Sequence, residues 1–115
     1  MKTQSPIIQV AAGQALHPPG HYTPLAIDFR QDGFGFHRLE RQKDVALYSK
    51  HKDSINYQGY EVVIIRNQEE YTIAGNTVSA REVYPASEKW GTLGWTYNDY
   101  QEAFRKFSNL IRVRK

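Results

Sequence analysis

The chain has 115 residues, of which 40% are hydrophobic, 23% charged and 13% aromatic, and it contains no cysteine. That length accommodates one ordinary core, and the missing cysteines exclude a disulfide framework, a thiolate zinc site, an iron–sulfur cluster and a cysteine nucleophile. The net charge is +3 with a pI near 9.2. The positive charge is segregated. Residues 37–52 carry five bases (Arg38, Arg41, Lys43, Lys50, Lys52) against Glu40 and Asp44, and residues 98–115 carry five (Arg105, Lys106, Arg112, Arg114, Lys115) against Asp99 and Glu102. Brought together by the fold, these stretches would make a patch for phosphate or for an acidic protein surface.

The longest strongly apolar run, Val62-Val63-Ile64-Ile65, is far short of the roughly 20 residues of a membrane span, and the N-terminus does not read as a signal peptide. The expectation is a cytoplasmic protein that does not engage a membrane.

Residues 1–24 hold four of the five prolines and only Lys2 as a charged residue. His17-Pro18-Pro19-Gly20-His21 is irregular, because proline lacks the amide donor and restricts the residue before it. The segment reads as an extended arm, with Ile7, Ile8 and Val10 able to form a short strand, and residues 25–115 read as a single domain.

Period-two alternation begins at Leu25, Ile27 and Phe29. Asp32-Gly33 signals a turn, and Phe34 and Phe36 open a second strand. From Asp44 to Lys50, Val45 and Leu47 fall on one face and Tyr48 and Lys50 on the other. Lys52 to Gln58 reads as a loop. Tyr60 to Ile65 has apolar residues on both parities, as expected of a central strand covered on both sides. Asn67 to Glu70 turns into Tyr71-Thr72-Ile73, Gly75-Asn76 signals a two-residue turn, and Thr77 to Tyr84 continues as one strand, ended by Pro85.

The last element is a helix. Tyr100, Ala103, Phe104, Phe107, Leu110 and Ile111 form a wide apolar stripe, with Asn98 as N-cap and Gln101 completing a capping box. Asp99 and Glu102 at its start and Arg112 and Arg114 at its end suit the helix dipole. The expected fold is α+β: an antiparallel β-meander of four to five strands with one C-terminal amphipathic helix packed on the sheet, burying Phe104 and Phe107.

Few residues point to catalysis. The prolines between His17 and His21 forbid a shared helical face, and no metal-ligand spacing joins them to His37 or His51, so no metal and no cofactor is expected. Glu61 interrupts an apolar strand and should face solvent or pair with a base such as Arg81; as a retained buried carboxylate it would be a candidate general base, although structural ion pairs are commoner. Gly33-Phe34-Gly35 and Gly91-Thr92-Leu93-Gly94 lack the rest of a phosphate-loop motif and read as turns.

The segment from Tyr84 to Tyr97 gathers both tryptophans and two of the eight tyrosines. Such a run closes one end of a core or offers an exposed stacking platform. Aromatic residues interleaved with bases on an antiparallel sheet are what a single-stranded nucleic-acid surface requires, since rings take the bases and cations follow the phosphates. On this reading Arg38, Arg41, Lys43, Lys50 and Lys52 hold phosphate, and Tyr48, Trp90 and Trp95 stack.

Asp44-Val45-Ala46-Leu47-Tyr48, Gly59-Tyr60-Glu61-Val62-Val63, Tyr84-Pro85-Ala86-Ser87-Glu88-Lys89-Trp90-Gly91 and Gly94-Trp95-Thr96-Tyr97 resemble stretches of small uncharacterised bacterial and bacteriophage proteins. The likeness covers roughly residues 34–110 and implies no activity. The order of meandering strands followed by one helix is similar, in architecture, to the single-stranded-DNA-binding coactivator fold. The sequence therefore leads to a non-enzymatic binding module, with single-stranded nucleic acid favoured as partner. The alternatives are a protein-interaction module, such as a phage- or mobile-element-encoded inhibitor of a host protein, and a small enzyme using Glu61 or a histidine. An exposed sheet edge often closes on a second copy, so a homodimer is an open expectation.

Overall fold

The computed structural model describes residues 21–114. Of the expected arm, residues 1–20, with the Ile7–Val10 strand and His17, lie outside the described residues. The described chain divides into two compact units, residues 25–66 with 83–114, and residues 21–24 with 67–82.

The larger unit is built on an antiparallel sheet of five strands: β1 (Asp28–Gln31), β2 (Phe34–Gln42), β3 (Val45–Lys52), β4 (Tyr57–Ile64) and β9 (Gly94–Tyr97), in the order β1-β2-β3-β4-β9. The helix α1 (Tyr100–Val113) packs on β3, β4 and β9. The fold is thus α+β, a meander carrying a C-terminal amphipathic helix. No helix among the described residues is long and apolar enough to cross a membrane.

The hairpin turns follow local chemistry. Asp32 and Gly33 both take positive φ, 55° and 83°, the primed turn whose twist matches the strands it joins. The β3–β4 connection is shorter than expected from sequence: β3 runs to Lys52, a single 3-10 turn covers Asp53–Ile55, and Asn56 at φ 52° leads into β4.

Both faces are covered at the centre of the sheet, over β3 and β4, as the double-parity pattern of β4 requires. On the helix face, Val45, Leu47 and Val62 pack with Ala103 and Phe107. On the opposite face, Phe36, Ala46, Tyr48, Val63 and Ile65 pack with Leu25, Phe29, Phe34, Tyr84 and Trp90. Burying a side chain the size of Phe107 contributes about 2 kcal/mol. Phe104 departs from expectation: it is 39% exposed, at the margin of a stripe wider than the sheet surface beneath it. The cap also lies one residue on. Asp99, in extended conformation, accepts the Glu102 amide at 3.1 Å, in place of Asn98.

In the smaller unit, β6 (Tyr71–Ile73) and β7 (Asn76–Val78) form a hairpin. Its turn is Ala74-Gly75, both at positive φ, rather than Gly75-Asn76. The strand expected from Thr77 to Tyr84 is broken in two, because Ser79 and Ala80 leave the ladder before β8 (Arg81–Val83) begins. β8 pairs with β5 (Arg66–Gln68). Thr23 bridges Arg81, donating its amide to the Ala80 carbonyl at 3.1 Å and accepting from Glu82 at 2.8 Å. The Tyr22 hydroxyl donates to Glu69.

Candidate nucleic-acid interface

The placement of the expected cations turns on one irregularity. The β2–β3 register pairs Arg38 with Tyr48 but Glu40 with Leu47 and Arg41 with Ala46, so Leu39 is an extra residue, a β-bulge. Strict alternation would put Arg38 and Arg41 on opposite faces, since they are three residues apart. The bulge resets the parity. Tyr48 and Ala46 belong to the same core cluster, so both arginines lie on the face opposite the helix. Lys50 and Lys52 continue that face along β3, with Lys50 beside Phe36 in the register. Arg38, Arg41, Lys50 and Lys52 therefore share one face of the β2–β3 ribbon, with Lys43 exposed at its turn.

Their electrostatic states differ. The Arg38 guanidinium has no partner among the described residues. Arg41 donates from Nε to the Lys43 carbonyl at 2.7 Å, which braces the turn. The Lys52 ammonium lies 5.0 Å from the centroid of the Phe34 ring. Lys50 is committed: its ammonium sits 4.4 Å from the same ring and donates to Glu61 Oε2 at 3.0 Å.

Glu61 is the centre of a polar cluster inside the opposite face. It is 3% exposed, and its partner is Lys50, not solvent or Arg81. The Tyr84 hydroxyl donates to Oε1 at 2.9 Å, and the Thr96 hydroxyl donates to Oε2 at 3.3 Å. Thr96 in turn accepts the Trp90 indole N–H at 2.8 Å. The segment from Tyr84 to Thr96 is thereby tied to the sheet at one carboxylate. Burial pushes the Tyr84 phenol far above the ordinary tyrosine range, with the Glu61 charge and the hydrogen bond to it adding to the effect.

The three stacking candidates separate. Tyr48 is a correction: it is fully buried, its hydroxyl donating to the Ala26 carbonyl at 2.7 Å, so its ring is core and offers no platform. Trp90 lies half-buried on the same face as the cations, its ring over Gly94 and against Tyr84. Trp95 pairs with Val62 in the register and so belongs to the helix face, where the Lys106 ammonium lies 4.1 Å from its ring centroid.

The two basic segments meet where the β2–β3 turn approaches the end of α1. Gln42, Lys43, Asp44, Val45, Ile111 and Arg114 line a shallow cleft there. Arg114 donates from Nε to Asp44 at 3.1 Å and from a terminal nitrogen to the second oxygen, a bidentate pair that cancels its charge locally.

Sequence reasoning missed Phe34 as the ring beneath Lys50 and Lys52, and it missed the bulge. The cross-strand pairing that aligns these groups is set by register, for which the local pattern carries no signal at Leu39. Gly91-Thr92-Leu93-Gly94 is a turn, as expected, with Gly91 at φ 92° and its amide bonded to the Gly94 carbonyl at 2.8 Å. Among the described residues, no group of three or more His, Asp or Glu side chains could hold a metal ion. No protein-family model, curated protein or solved structure matches the chain.

Proposed function

We propose that the chain is a non-enzymatic binding module for single-stranded nucleic acid, held along the β2–β3 ribbon on the face opposite the helix. Arg38, Arg41, Lys43 and Lys52 take the phosphates, and Trp90 offers the stacking ring. Lys50 supports the ribbon through Glu61 instead of meeting the ligand. One observation carries the reading: the Leu39 bulge turns Arg41 onto the face already holding Arg38, Lys50 and Lys52. Successive same-face positions on a strand recur about every 6.6 Å, a step comparable with that between neighbouring phosphates of an extended strand.

The test is tryptophan fluorescence during titration with a single-stranded oligonucleotide at several salt concentrations. Quenching that weakens with salt supports the reading, and it should vanish in Trp90→Phe but persist in Trp95→Phe. Replacing Arg41 and Lys43 together by Gln should flatten the salt dependence by about 1.4 logarithmic units per decade, roughly 0.7 for each phosphate left without its cation. Binding of unaltered strength and slope in that variant overturns the assignment.

A protein-interaction module is the second reading, favoured by β9. This strand has β4 as its neighbour on one side and forms an edge of the five-stranded sheet, the kind of edge to which an extended segment of another protein adds. Partner recovery from nuclease-treated lysate, with no oligonucleotide binding, would favour it.

A further inference from the structure

The helix face carries a second feature, away from the ribbon surface. α1 packs on β3, β4 and β9, and beyond that stripe Asp28, Arg30 and His37 are exposed. Register sets two rows across the strands here: Asp28, His37 and Ser49 in one, and Arg30, Gly35, His51 and Gln58 in the next.

The first row is internally satisfied. His37 Nδ1 lies 2.6 Å from Asp28 Oδ1, and the Ser49 hydroxyl donates to the His37 carbonyl at 3.3 Å. The second row contains no carboxylate. Gly35 is buried and has no side chain, and the space above it is taken by the His51 ring and an Arg30 guanidinium nitrogen. A Cβ at Gly35 would lie 2.5 Å from His51 Cε1 and Nε2 and 3.2 Å from an Arg30 terminal nitrogen. Neither Arg30 nor His51 has a hydrogen-bond or ion-pair partner among the described residues. An arginine fork and an imidazole converging without an acceptor between them are arranged as donors toward an anion.

We infer that Arg30 and His51, over the bare backbone of Gly35, form a binding site for a single phosphate group. The guanidinium supplies two parallel donors and the imidazole a third from another direction, which suits a tetrahedral dianion better than a planar carboxylate. The phosphate is either the free ion or a monoester, since both present the same oxygens. The site stands on the opposite side of the sheet from the proposed nucleic-acid ribbon and does not depend on it.

The experiment follows the imidazole C–H resonances of the full chain by NMR while inorganic phosphate is added at constant pH and ionic strength. His51 should shift saturably and His37 should not. Arg30→Gln, at an exposed position, should weaken the interaction about tenfold or more, as expected for loss of a charge-assisted pair. Gly35→Ala should abolish it by displacing the His51 ring, with circular dichroism confirming that the sheet persists. A nucleoside 5′-monophosphate binding more tightly than inorganic phosphate assigns the site to an ester, and equal affinity assigns it to the free ion. Shifts that stay linear, that appear equally at both histidines, or that survive Arg30→Gln unchanged overturn the proposal. That failure would leave quenching by oligonucleotide, and its dependence on Arg41 and Lys43, untouched.

Discussion

Lys50 and Glu61 face each other diagonally across β3 and β4, the ammonium 3.0 Å from the carboxylate, with side chains 22% and 4% exposed. A pair this enclosed is worth little as a net contributor, because desolvation offsets most of the attraction, but removing one partner strands the other. The pair also fastens the Tyr84–Thr96 segment, since Tyr84 and Thr96 bind the same carboxylate.

Lys50→Met should therefore destabilise the protein by about 3 kcal/mol, and Lys50→Glu, which sets a second carboxylate beside Glu61, by more. Lys50→Met combined with Glu61→Gln should recover most of the loss, because no unpaired charge remains. Urea unfolding midpoints of the three variants decide it. A midpoint for Lys50→Met equal to that of the parent chain would mean that the ammonium does not compensate Glu61.

Tyr84 gives a pH dependence. Its phenol is raised by burial first, then by the Glu61 charge and hydrogen bond. The folded chain thus holds this proton more tightly than the unfolded chain. The stability linked to it is complete below the ordinary tyrosine pKa of about 10 and declines as pH rises above that value, where the unfolded chain releases the proton and the folded chain does not. Tyr84→Phe should cost about 1 kcal/mol at neutral pH and soften the decline at alkaline pH. Unfolding curves across that range, with tyrosinate absorbance, test both parts.

Gly94 is closely covered. A Cβ there would lie 2.5–2.7 Å from three atoms of the Trp90 ring. Gly94→Ala should cost about 1–3 kcal/mol through overpacking and shift the tryptophan emission as the Trp90 ring moves. An unshifted spectrum with unchanged stability would show that the ring is not held against this strand.

The bulge makes an unusual prediction about a deletion. Removing Leu39 would let Arg38, Glu40 and Arg41 pair with Tyr48, Leu47 and Ala46 in unbroken register, leaving every side chain on its present face. Leu39 is 39% exposed, so little core is lost. The deletion should fold and retain oligonucleotide binding, whereas inserting one residue after Gln42 should lower thermal stability by distorting the β2–β3 turn. Thermal melts and the fluorescence titration distinguish the two.

Local patterning accounts for the fold class and for the central strands and helix of the larger unit, but not for the broken strand between Thr77 and Tyr84. Alternation in Val45–Leu47, double parity in Tyr60–Ile65 and the apolar spacing from Tyr100 to Ile111 are local consequences of strand and helix geometry, and each forms where the pattern places it. Asp32-Gly33 was legible for the same reason, because a turn needs only the backbone freedom of its own residues. What a side chain meets across a strand or a layer was decided by the tertiary structure. Lys50 reaches Glu61 through the β3–β4 register, Arg38 and Arg41 share a face because of one extra residue, and Tyr48 is core because Tyr84 and Phe29 pack over it. Arg30 and His51 meet over Gly35 because three strands bring them there. These are pairings between residues distant in the chain, and local periodicity, which repeats every two or 3.6 residues, carries no information about them.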